Sequence, residues 1–77
     1  MDIHTDKVDE MTLALMYLVT FHVHQCPRAW KSFDWDTLDR LHEKGWISDP
    51  KSKAKSVAFS DEGLKRAKEL FERHFQA

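Results

Sequence analysis

The spacing of apolar residues changes along this 77-residue chain, and each change marks an element. From Thr5 to His24 it is helical. Val8, Met11, Leu15, Leu18 and His22 recur every three or four positions, the signature of one buried stripe. Leu13, Met16, Tyr17, Phe21 and Val23 cover much of the remaining circumference, more apolar surface than one face of a small domain needs. The pattern predicts a helix over about residues 5–24, N-capped by Thr5, with Asp6, Asp9 and Glu10 placed where acids favour the helix dipole. Pro27 ends it by disfavouring helical geometry at Cys26. The second apolar face, Leu13, Met16, Tyr17 and Val23, predicts either a central helix or one that self-associates.

Between Arg28 and Phe33 the pattern becomes alternating, with Ala29, Lys31 and Phe33 on one side and Arg28, Trp30 and Ser32 on the other, as in a short strand or extended link. A second helix follows over about 34–44, capped by Asp34 and carrying Trp35, Leu38 and Leu41, with Phe33 placed to staple onto Leu38. Gly45 suits the left-handed position just past its end, which turns Trp46 back onto the helix. Strands over about 46–49 and 56–59 then predict a hairpin opened by Asp49-Pro50, with Lys51, Lys53 and Lys55 near its tip. Ser60 caps a third helix over about 60–75, striped by Leu64, Ala67, Leu70, Phe71, His74 and Phe75. Gly63, in its first turn, would cost roughly 1 kcal/mol against alanine, so another backbone is expected to pass close by.

This order of elements resembles the winged-helix superfamily, in particular small bacterial regulator-like domains. The run Leu41-His42-Glu43-Lys44-Gly45-Trp46-Ile47 is similar to their entry into the wing, and Phe59-Ser60-Asp61-Glu62-Gly63 to their exit. The segments RAWKSFDWD, LHEKGWISDP and KAKSV also resemble a small bacterial family of unknown function whose members are about this short. The resemblance implies an α+β fold, winged-helix-like, with three helices and a small antiparallel hairpin. It implies no activity. Two features argue against reading DNA with the second helix. Only Arg28 to Phe33 separate Pro27 from Asp34, too few for the preceding helix and turn of a helix-turn-helix. That second helix also brings Asp34, Asp36, Asp39 and Glu43 against Arg40 and Lys44, a net negative charge facing phosphates.

Length and composition narrow the picture further. Seventy-seven residues make one domain, near the size where one core only just offsets the ordering entropy, so help from a partner subunit fits. Cys26 is alone and cannot form an intrachain disulfide, and the start MDIHTDKVDE is acidic where a signal peptide is basic, which suits a reducing cytoplasm. The apolar run from Met11 to Val23 is too short and interrupted to span a membrane. A formal charge of −1 argues against coating nucleic acid by bulk electrostatics. The cations nevertheless gather locally: Arg28, Lys31, Lys51, Lys53 and Lys55 are the residues expected to touch nucleic acid if any do. Hairpin-tip lysines also protect strand edges from pairing, the plainer reading of so few charges.

Other candidate chemistry is thinner. Trp30, Trp35 and Trp46, if exposed beside lysines, could stack on single-stranded bases, although core filling is the default for aromatics in so small a domain. His22, His24 and Cys26 would point the same way on an extended chain, with His42 as a fourth ligand, but zinc sites normally show two paired ligand motifs. Histidines near a helix end are already explained by the dipole. Cys26 has no oxyanion loop or phosphate cradle around it that would make it a nucleophile. The expectation is a non-enzymatic, cofactor-free binding module of the cytoplasm, acting by protein contact or self-association, with nucleic-acid binding through the basic wing as the alternative.

Overall fold

The computed structural model describes residues 2–77. Its elements are helix α1 (Thr5–Leu18), strands β1 (Phe21–Val23) and β2 (Cys26–Trp30), helix α2 (Trp35–Glu43), strand β3 (Ser56–Ala58) and helix α3 (Asp61–Phe75). The fold is α+β: three helices with one antiparallel sheet in the order β1-β2-β3. Leu13, Ala14, Met16, Ala29, Leu38, Leu41, Ile47, Val57, Phe59, Ala67 and Leu70 form one buried cluster between the helices and the inner face of the sheet.

The starts of α2 and α3 follow the caps read from the sequence. Asp34 Oδ2 accepts from the Thr37 amide and hydroxyl at 3.1 and 3.0 Å, and Ser60 Oγ accepts from the Gly63 amide at 2.9 Å. After α2 the Gly45 amide donates to the His42 carbonyl and the Trp46 amide to Leu41, the paired bonds of a Schellman ending, with Gly45 at φ +79°. Gly63 is needed for the reason anticipated. A β-carbon there would run into the Trp46 carbonyl, 2.6 Å from its carbon. That carbonyl also accepts the Ser60 amide, so the start of α3 is pressed onto the chain leaving α2. At the start of α1 the cap is His4 rather than Thr5, its Nδ1 accepting from the Lys7 amide.

The first helix is shorter than its apolar run. It stops at Leu18, where the Thr20 hydroxyl donates to the Met16 carbonyl at 2.8 Å. Phe21 to Val23 then form a strand, and His24 and Gln25, at φ 50° and 66°, make a two-residue turn into β2. Two positive-φ residues in a two-residue loop match the twist of the flanking strands, as in a type I′ turn. The expected helix over 19–24 is therefore a hairpin. Val19, Thr20, Phe21 and Val23 are β-branched or aromatic and suit a strand, but the turn lacks the Asn-Gly or Asp-Gly pair that normally announces it.

The alternation from Arg28 to Phe33 is real and extends upstream: Ala29 is buried on the inner face while Arg28 and Trp30 stand on the outer one. The expected hairpin of 46–49 with 56–59 is mostly replaced by pairing of β3 with β2, Ala29 opposite Val57. On the other edge of β3 only Ile47 bridges Phe59. Ser48 completes that edge by donating its amide to the Ala58 carbonyl and accepting the Ala58 amide on its hydroxyl. Pro50 then carries the chain away.

Candidate binding surfaces

Asp9 decides which face of α1 is buried. It is fully buried on the stripe that includes Leu13 and Met16, and its carboxylate takes Arg40 Nε at 2.8 Å, Arg40 Nη2 at 2.8 Å and Lys44 Nζ at 2.9 Å. Lys44 also reaches Asp6 at 3.3 Å, and Arg40 donates to the Thr37 hydroxyl at 3.1 Å. These bonds run from Asp34 through Thr37 and Arg40 to Asp9 and fix α1 on α2. Burial pushes the Asp9 carboxyl pKa up, but the hydrogen bonds and charges of Arg40 and Lys44 outweigh it and hold the group below the usual carboxylate range. The Asp9 hydrogen bond holds Arg40 above its ordinary value. Lys44 is lowered by desolvation and raised more by Asp9 and Asp6, and ends above the ordinary lysine range.

This placement corrects the reading of α1. Leu13 and Met16, expected on a self-associating face, are fully buried core. Tyr17 is half-buried with its ring 5.4 Å from that of Phe71 in α3. Of that set only Val23 is exposed, and it lies in β1 rather than on the helix. The stripe expected to be buried is the outward one: Val8, Leu15 and Leu18 are exposed and Met11 partly so, with Val19 beside them. No Asp, Glu, Lys or Arg stands at positions 4, 5, 8, 11, 12, 15, 18 or 19. Hydropathy alone could not choose between two apolar faces. The informative signal was this absence of charge, together with the opposite-signed partners that Arg40 and Lys44 offer to Asp9.

The sheet has its own outer surface, since residues paired across antiparallel strands share a face. Phe21 and Val23 of β1, Cys26, Arg28 and Trp30 of β2, and Ser56 and Ala58 of β3 all lie on it. Trp30 is 52% exposed and stacks on Phe21, ring centroids 4.7 Å apart. The tryptophans therefore do not all fill the core as expected. Trp30 and Trp35 are exposed, and Trp46 alone packs on the core, with Lys44 Nζ 5.3 Å from its ring centre.

The five expected cations flank this face but do different work. Arg28 donates from Nε to the Ser56 hydroxyl at 2.7 Å and from Nη2 to the Ser56 carbonyl at 2.9 Å. Lys31 Nζ donates to the Ser52 carbonyl at 2.7 Å, and its amide continues the β2–β3 ladder to Lys55. Lys51, Lys53 and Lys55 are exposed on the loop that this tie holds. Asp49 turns the loop back by accepting the Lys51 amide.

His22, His24 and Cys26 are not brought together. His22 shares its face with Pro27, Cys26 shares the outer one with Val23, and His24 sits in the turn. His42 is bonded to the Ile47 carbonyl. Among the described residues no three His, Cys, Asp or Glu side chains gather as a metal site would require. A groove of about 390 Å³ lies between the start of α1 and α2, lined by Ile3, Val8, Asp34, Asp36, Thr37 and Arg40, whose guanidinium is already engaged by Asp9. No helix of the described residues is long and apolar enough to cross a membrane.

Comparison with known proteins agrees with the kinship suggested by RAWKSFDWD and LHEKGWISDP. Residues 4–77 match a family described as a domain of unknown function, DUF6429. An uncharacterized protein, y4hR, of Sinorhizobium fredii is 55% identical over 75 residues, which cover 97% of each chain. No solved structure matches, and the expected winged-helix resemblance is not borne out by any solved neighbour. With nearly its whole length matched, the chain belongs to the small bacterial DUF6429 family of unknown function.

Proposed function

We propose that this protein is a non-enzymatic binding module of the cytoplasm that works by protein contact, and first by pairing with a second copy of itself through the outer face of α1. The observation that carries this reading is the uncharged seam of Val8, Met11, Leu15 and Leu18, spaced by three and four residues on a helix whose other face already makes the core. A solvent-facing helix surface normally carries charge. A seam of this spacing is the geometry with which two helices interlock. Its lack of charge also makes it self-complementary, because a two-fold axis sets each patch against its own copy and would set any single-sign charge against itself. The cytoplasmic compartment is supported by Cys26, which has no second cysteine to pair with.

Light scattering and sedimentation between about 1 and 100 μM, a range that spans weak to moderate dimer affinities, test the pairing. The expected particle has twice the 9.1 kDa chain mass, and Leu15→Glu with Leu18→Glu returns it to a monomer with an unchanged helical spectrum. A wild-type particle that stays at the monomer mass throughout refutes the pairing.

A further inference from the structure

The outer face of the sheet lies on the electropositive part of the molecule. No Asp or Glu occurs between Glu10 and Asp34, or between Asp49 and Asp61. The sheet and its loop therefore hold five of the 12 Lys and Arg side chains, Arg28, Lys31, Lys51, Lys53 and Lys55, against one of the 13 acids, Asp49 at the start of the loop. A formal charge near zero conceals this separation. The same surface holds the stacked Phe21–Trp30 pair, with Trp30 half open to solvent although tryptophan gains most by burial. Trp30 is cross-strand partner to Ser56, beside Lys55, and precedes Lys31, so the ring stands at the lysine-bearing end of the sheet. Arg28 Nη1 makes no hydrogen bond among the described residues, while Nε and Nη2 are held on Ser56.

We propose that this face binds single-stranded nucleic acid, with Trp30 on its Phe21 support as the platform for a base and with Arg28 and the loop lysines tracking the phosphates. Rings that accept a base face, set among fixed and mobile cations, form the recurring surface for single strands. A duplex hides its base faces, and an acidic peptide has no base to stack, so neither uses the tryptophan. This reading is independent of α1 pairing, because the two surfaces share no residue.

Fluorescence anisotropy with dye-labelled oligothymidylate and oligouridylate of about 15 nucleotides, near the upper end of known single-strand site sizes, tests it. The controls are a duplex of the same length and polyglutamate. Both single strands are expected to bind, their relative affinity showing whether the sugar matters, and both controls at least about tenfold more weakly. Trp30→Ala should lose about fivefold or more, the effect of one stacked base, while Trp30→Phe keeps most of the affinity. Replacing Lys51, Lys53 and Lys55 together by alanine should reduce the steepness of the log K against log salt plot by about 2. Amide shifts of the wild-type protein should centre on Phe21, Arg28 and Trp30, a measurement that needs no variant. No binding at low salt, equal affinity for polyglutamate, an unaltered Trp30→Ala variant, or shifts confined to other elements would each overturn the proposal.

Discussion

Gly45 and Gly63 have different physical reasons to be glycine, and alanine separates them. At Gly45 nothing lies within 4 Å of the missing β-carbon, but φ is +79°, so alanine there costs about 1–2 kcal/mol of backbone strain. At Gly63 the added carbon runs into the Trp46 main chain, which cannot swing aside as a side-chain tip can. The α2–α3 junction must open, and the expected loss is about 3 kcal/mol, the upper part of the range for overpacking. Urea unfolding of the two variants should show that order. Both roles were legible in the sequence, because a glycine after a helix and a glycine inside a first turn each violate a local preference. Asp9 was not, since an acid near a helix N-terminus already has a sufficient explanation. Its folded-state pKa lies below the ordinary value of about 3.9, so its ion pairs contribute fully at neutral pH, and the contribution is lost as pH falls through that lower value. Lys44 acts with opposite sign, contributing below about 10.4 and losing the contribution as pH rises through its raised folded value. Asp9→Asn should cost about 3 kcal/mol at pH 7 and flatten the fall in stability between about pH 5 and 2. An acid limb as steep as wild type would show that other carboxylates control it.

At the scale of the elements, α1 shows why periodicity can place a helix and still orient it wrongly. Two apolar stripes satisfy the helical spacing, and the more apolar one faces solvent because the other carries Asp9, whose partners lie more than thirty residues away on α2. Ion pairing across sequence distance overrode hydropathy. Elsewhere the misplaced elements have other causes: residues 21–24 enter a hairpin through a local turn that no Asn-Gly pair announces, and β3 pairs with β2 instead of with residues 46–49. The local signals at α2 and α3, the Asp34 and Ser60 caps and the Gly45 stop, agree with the structure, whereas α1 is capped by His4 instead of Thr5. Glutamate at Leu13 and at Leu15 tests the orientation directly, two residues apart on one helix. Leu13→Glu buries an unpaired charge at a fully buried site, a penalty of several kcal/mol against a total of about 4–12 for a domain of this size, and should not fold. Leu15→Glu should fold with its melting temperature within a few degrees of the Leu15→Ala variant. Circular dichroism melts distinguish the two outcomes, and equal damage at both positions would mean that the outer stripe is also core.

At the scale of the whole molecule, the separation of charge matters more than its sum. The sheet and loop carry five cations against a single acid, Asp49, while the remainder of the chain carries seven Lys and Arg against 12 acids. Ion exchangers bind the patch that faces them, not the net charge. Near pH 7.5, above the sequence pI of about 6.5, the protein should therefore be retained on a cation exchanger at low salt as well as on an anion exchanger. The Lys51, Lys53 and Lys55 triple alanine variant should pass through the former and bind the latter more tightly. Dual retention cannot come from lysines spread evenly among acids, because each would be neutralised within a Debye length of about 10 Å. If wild type and variant both pass through the cation exchanger, the five cations do not act as one surface, and a partner for the sheet must be sought through its rings alone.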